Sequence, residues 1–396
     1  MYELAFTSKT PVPTFVKQVK ANFFQQCALE REKLQGLNQA WVFARNTPTK
    51  LVTVEVGGKQ ARQNVPGWTG FHAIVTVNKS RPTRIGFPPM IPAPVKEPNT
   101  VYTCLKSLDK TFRESLRQEN AVVTFDEGIY CEAKRIQWAI SPELDNVVVR
   151  LGGFHRAKNF LGVIGKRMTE SGVEDLWIES EICGSNVATK IINGTHYNRA
   201  IRAHKLTLEA LERLQWHIFM EWLEKNGKMD EKEMKCIKEK KEKLLCLFQQ
   251  GHISVLQQRT QIRQKETELG NLLIEKISPL YIQFKEHGCK CSALFAFWNE
   301  YMEMVWLLLN FIHGDRDANW LLHLETFSAM LPYDRAFDHL NYFRWGTVYL
   351  TDMKMLQEVA PTVHQEFTAN RTHAVSNYLP SHRSILSHQT WPWSRQ

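Results

Sequence analysis

No stretch of this chain stays apolar long enough to cross a bilayer. The longest run, Met302–Ile312, contains Glu303 and covers about half a membrane span, so it reads as a buried helix. No secretory leader is expected, because Met1–Phe6 is too short and too polar. Cysteine is sparse, eight residues scattered through 396, which excludes a disulfide-stapled scaffold and points to a reducing compartment, nucleus or cytoplasm rather than secretion. No internal repeat, Walker pattern or dinucleotide fingerprint is present, so nucleotide cofactors are unsupported. His287-Gly-Cys289-Lys-Cys291 is half a zinc site with no second half to complete it.

Other features are plentiful. Twelve tryptophans, in a chain long enough to bury a large core, are incompatible with global disorder. Fifty Lys and Arg against 41 Asp and Glu leave a formal charge of +9, which suits a polyanionic partner. Nucleic acid is expected, DNA ahead of RNA, with no membrane partner. A homo-oligomer is compatible with the sequence.

The stretch 121–166 organises the chain. Ala121–Phe125 is a short β-branched run ending on Asp126, Glu127 and Gly128. A helical pattern follows with Ile129, Ala133, Ile136 and Ile140 on one side, stopped by Ser141-Pro142. Asn146–Leu151 is a second apolar run, closed by Gly152-Gly153, and a helix begins near Phe154-His155. Two fully apolar strands with a helix between them predict a parallel unit in a covered sheet, with polar groups meeting at its carboxyl end. Asp126 and His155 are the best placed to meet there.

Before this unit, a helix is expected over 15–34, and strands over 51–56, 71–77 and 84–87. A helix capped by Asn99 should run through Val101, Leu105, Leu108 and Phe112. Beyond it, 175–182 is one more short strand. Almost everything from Asn186 is helix-like: 198–222, the Lys/Glu-dense 228–243, 252–284, 292–312, 320–330, 337–355 and 362–369, with Pro332 and Pro361 as separators. The expected organisation is an N-terminal lead (1–60), an α/β core with a small mixed sheet (61–183), a large all-α region (184–370) and an irregular tail (371–396).

Each candidate residue has two readings. Asp126 is a strand-end carboxylate, placed as a metal ligand or acid/base group, and equally well placed to cap the following helix. His155 could carry a proton or bind a metal, or simply pack. Arg199 and Arg202 lie on one helix face with His196 and Lys205 close by, a pattern suited to a phosphate backbone or to plain solvation. The 228–243 segment reads as a solvated helix laced with ion pairs. Asp334, Asp338 and Asn341 share a spacing that puts them on one helical face. Arg344 and His339 stand nearby, and a buried network is favoured.

The runs TFDEGIYCEAKRIQW, VVVRLGGFHRAKNFLGVIGKRM, NGTHYNRAIRAHKLTLEAL and FWNEYMEMVWLLLNFIHGDRDANWLLHL through NYFRWGTVYL resemble a large group of transposon-derived proteins of animal genomes, over about residues 62–373. The layout is similar, more distantly, to transposases with an RNase H-like core. That resemblance implies strand-end carboxylates holding two Mg²⁺ for phosphodiester cleavage or strand transfer. Asp126 would then be the metal-binding and catalytic acid, and Gly153-Phe154-His155 would match a GDFH-like turn with His155 in the site. The chain departs from the pattern at Gly153, where an acid is expected, and beyond 373, where an acid-bearing Glu-Gln-Asn-Asn motif is expected. Asp338 or Asp334 could replace a missing acid. The resemblance thus implies a nucleic-acid-binding protein with a degenerate or incomplete nuclease core, inactive, or Mg-dependent if active. The alternative is a non-enzymatic, mainly helical scaffold for another protein.

Overall fold

The computed structural model describes residues 29–46, 52–56, 59–63, 65–75, 91–226, 230–249, 264 and 268–369. They are mostly helical, with two short strand pairs. The described residues form two compact units, each discontinuous in sequence: one draws on residues between 91 and 157 and between 311 and 369, the other on residues between 29 and 75 and between 158 and 310.

In the first unit, β3 (Ala121–Phe125) pairs in parallel with β4 (Val147–Leu151), joined by α4 (Glu127–Ala139), as the apolar runs predict. The register sets Ala121 against Val147 and Phe125 against Leu151, and the Gly152 amide extends it by donating to the Phe125 carbonyl at 2.7 Å. All five side chains of β4 are buried, so both faces of the strand are covered. α3 (Pro98–Lys110) packs its Val101 and Leu105 inward beside α4. It starts at Pro98, with Glu97 as its unbonded cap. Proline is preorganised for a first helical position, so the expected cap, Asn99, lies inside the helix instead. Among its described residues this unit also holds α12 (Trp320–Ala336), α13 (Leu340–Val359) and α14 (Pro361–Thr368). α12 runs on through Pro332, the expected separator. Proline removes one backbone hydrogen bond there, but Leu331 and Asp334 on either side of it are both buried.

The second unit holds α1 (Leu29–Arg45), the antiparallel hairpin β1 (Val52–Val56) and β2 (Lys59–Gln63), and α2 (Trp68–Val75). The strand expected at 51–56 is β1, but 71–77 begins as helix. Trp68, Phe71 and His72 are buried at helical spacing, with the Trp68 indole and the His72 ring both on Asn38 Oδ1 at 2.9 and 3.0 Å. The strand expected at 175–182 is also helix, α6 (Val173–Glu179), because Val173 and Trp177 go inward one turn apart. The mixed sheet is corrected too: the described strands form two separate pairs. Of the helix expected over 15–34, only 29–34 is described; it is the start of α1, which runs on to Arg45, while 15–28 and the 84–87 strand lie outside the described residues.

α5 (Gly153–Met168) is followed by α7 (Ser185–Ile192), α8 (Tyr197–Asn226), α9 (Glu231–Gln249), α10 (Ser278–Cys291) and α11 (Ala293–Arg316). α7 crosses α5 at Gly165, where a Cβ would fall far inside van der Waals contact of the Ile192 carbonyl oxygen. The core joins Phe43, Trp216, Phe219, Tyr281 and Phe284, with Phe219 and Tyr281 centroids 4.9 Å apart. Further back along α8, His204 is fully buried, its Nδ1 2.9 Å from the Tyr301 hydroxyl and its ring edge-on to Trp177. Burial pushes His204 down to about 3.

Gly165→Ala should lower the midpoint of denaturant unfolding, at a cost of about 1–3 kcal/mol for an overpacked contact. A second outcome concerns pH. His204 stays neutral in the fold and titrates near 6.5 once unfolded. Its contribution to stability is therefore complete above pH 6.5 and is lost as pH falls towards 3, at about 1.4 kcal/mol per pH unit. Unfolding curves of His204→Leu against the unaltered chain, at pH 7 and 5, should show a shallower pH dependence in the variant.

Candidate functional site

The carboxyl end of the β3–β4 pair is the first place where polar side chains gather. Asp126 leaves β3 in extended backbone, and its Oδ1 accepts from the Ile129 amide at 3.0 Å. It is thus the N-cap of α4, and it remains exposed. Tyr342 of α13 faces it. The Tyr342 hydroxyl is held above its ordinary range, first by burial and then by Glu127, with Asp126 and Asp334 adding and Arg156 opposing. His155, in the first turn of α5, is exposed with its ring edge-on to Phe154 at 5.4 Å. Among the described residues no hydrogen bond or ion pair joins Asp126, His155 and Asp338 to one another.

Gly153 opens α5 at the end of β4, and the carboxylate of Asp315, from the last turn of α11, occupies the space its side chain would take. A Cβ at 153 would collide with Asp315 Oδ2. Asp315 Oδ1 is 2.6 Å from His323 Nδ1, and His323 Nε2 is 2.9 Å from the Tyr349 hydroxyl. His323 is buried and stacked on Trp320 at 5.3 Å. Burial raises the Tyr349 hydroxyl to about 12, with Arg150 partly opposing. The Asp315–His323–Tyr349 chain connects the sheet end to the core. None of its members stands out in the sequence, because they come from three helices. The only local hint is the charged run Gly314-Asp-Arg-Asp at a helix end.

The acidic face expected from Asp334, Asp338 and Asn341 does not form. Asp334 lies on α12, Asn341 on α13, and Asp338 in the turn between them at φ 61°. A left-handed residue ends helical periodicity, so the three cannot share a face. Asp334 does sit in a buried network, with a partner other than Arg344. Arg156 of α5 pairs with it at 2.8 Å, both side chains at 0% exposure, while the guanidinium lies over the Phe327 ring at 4.8 Å. Burial raises the Asp334 carboxyl and Arg156 opposes the rise.

The second place is α8. Arg199 and Arg202 are exposed there, and neither is ion-paired among the described residues. Lys205 is half-buried and donates to Thr69 Oγ1 at 2.8 Å. His196 lies just before the helix, its carbonyl accepting from the Ala200 amide. Arg213 is a further exposed cation on this helix that the sequence reading passed over. On α9, Glu233 pairs with Lys276 from beyond the helix at 2.9 Å and Ile237 is buried, the pattern of a solvated helix with one inward stripe. His287 and Cys291 approach within 3.7 Å on α10, and among the described residues no three His, Cys, Asp or Glu converge to hold a metal ion.

Residues 67–390 match the family described as a domain of unknown function, DUF8702. The chain belongs to that family. No curated protein and no solved structure matches it. The DUF8702 match takes in both places just described, the sheet end and the cationic face of α8. Among the described residues no helix of this DUF8702 protein is long and apolar enough to cross a membrane.

The contact between Gly153 and Asp315 can be tested by a double-mutant cycle. Gly153→Ala should destabilise the chain by displacing the Asp315 carboxylate from His323, and most of that cost should vanish on an Asp315→Ala background. Chemical denaturation of the four proteins should give a coupling of about 0.5–3 kcal/mol.

Proposed function

We propose that this is a transposon-derived nucleic-acid-binding protein whose RNase H-like core no longer supports two-metal chemistry. The observation that carries the binding half is the exposed arginine set of α8. Arg199, Arg202 and Arg213 project from one helix, none of them ion-paired among the described residues. Cations left unneutralised by the fold are available to displace counterions from a phosphate backbone.

The donor set at the sheet end supports the other half. Two Mg²⁺ need several convergent carboxylates. Asp126 spends one oxygen on a helix cap, position 153 is glycine, and the carboxylate beside it, Asp315, is committed to His323. Asp338 sits exposed in a turn. These residues do not fit a two-metal centre, and no cleavage step is derived from them. A scaffold role has one observation in its favour, the exposed Leu206, Leu214 and Ile218 on the same helix.

Binding to a labelled DNA duplex and to a single strand should fall steeply between about 50 and 200 mM salt. Arg199→Ala with Arg202→Ala should weaken it and reduce the log–log salt slope by about 0.9 for each cation removed on a duplex. Absence of binding at about 50 mM salt would reject the reading in favour of the scaffold.

A further inference from the structure

Three arginines and a histidine of α8 lie along one line. At 3.6 residues per turn, Arg199, Arg202, Arg213 and His217 fall within about 60° of arc, and Arg199 and His217 are about five turns apart on the same bearing. All four are exposed. The line ends at a cavity of about 170 Å³ between α1, α8 and α9. Its inner wall is aromatic: Phe43 and Trp216 meet at 5.3 Å and 57°, and both are buried. Met220 and Met234 form the sides. Three polar side chains, Asn46, His217 and Lys238, complete the lining. The Asn46 side-chain amide makes no hydrogen bond and Lys238 no ion pair among the described residues. His217 is 3.5 Å from Glu221.

Each part has a chemical consequence. A dry cavity of about 150 Å³ holds a benzene ring, so this one takes a single six-membered ring. Methionine sulfur and aromatic walls favour a flat π-system. An amide without a partner offers one acceptor and two donors, which matches the edge of a pyrimidine base. An ammonium at the same cavity suits a phosphate. We propose that the cavity is a nucleotide site that takes one unpaired pyrimidine base with its phosphate at Lys238, and that the arginine line of α8 leads a single strand to it. The strand half rests on the nucleic-acid reading above. A free pyrimidine mononucleotide carries the same chemistry, so the two sources are separated by experiment.

The test uses the full chain and three probes: a fluorescent oligothymidylate 15-mer, an abasic strand of equal length and charge, and thymidine 5′-monophosphate. Oligothymidylate should bind about 5- to 150-fold tighter than the abasic strand, the factor that stacking one base on aromatic side chains gives. Lys238→Glu at the rim and Met234→Trp, which fills the cavity, should each collapse that ratio towards one while circular dichroism stays unchanged. Arg199→Ala with Arg202→Ala should weaken both strands and leave the ratio intact. Mononucleotide binding that Met234→Trp abolishes, with no strand binding, would uphold the pocket and reject the strand. Equal binding of the two strands with no mononucleotide bound, or a ratio untouched by both pocket variants, would overturn the proposal.

Discussion

Much of this structure depends on what α5 leaves out. At Gly153 the missing side chain is replaced by the carboxylate of Asp315, and at Gly165 by the backbone of Ile192. At Gly162 the helix backbone itself is the contact surface, because Gly194, at φ 66°, packs directly on its amide. Gly194 needs both the positive φ and the missing Cβ, since a left-handed turn lies hard against a helix there. One helix therefore makes three kinds of close approach, to a charge, a carbonyl and a turn, and a side chain at Gly153, Gly165 or Gly194 would crowd the one it faces.

The same helix carries Arg156, and its buried pair with Asp334 is costly to desolvate. Good geometry and the Phe327 ring beneath the guanidinium offset part of that cost. A second inward pair, Lys134 with Asp352 at 2.9 Å, is shored up by Gln137, whose amide donates to the carbonyls of Leu144 and Val147. These pairs tie α4 and α5, the helices flanking β4, to α13 and α12. Buried charges that would suggest a catalytic centre when read singly are here the joints between helices and the strand pair.

Charge of the other kind is left on the surface. The formal +9 of the chain says only that positive charge is in excess. The helical period of α8 decides where part of it goes, by placing arginines at 199, 202 and 213 on the side away from the buried His204 and Leu208. Long-range recognition of a polyanion requires such a concentration rather than the total.

Local pattern was enough for the parallel unit. Two β-branched runs around an amphipathic helix specify strands, helix and parallel pairing, because each follows from periodicity and from the length of the crossover. The capping role of Asp126 was legible on the same grounds, and so were Arg199 and Arg202 on α8, whereas Arg213 was not. Residues 71–77 and 175–182 were misread because short apolar runs have no period of their own, and packing of Trp68, Phe71 and Trp177 decided for helix. Asp315, His323 and Tyr349 share a hydrogen-bonded chain, and Arg156 and Asp334 share a buried pair across 178 residues. The cavity behind Lys238 likewise joins three helices. Sequence by itself determined the elements with a strong period and the charges on their faces. Tertiary structure alone decided which distant side chains meet, because a partner far along the chain leaves no trace in local spacing.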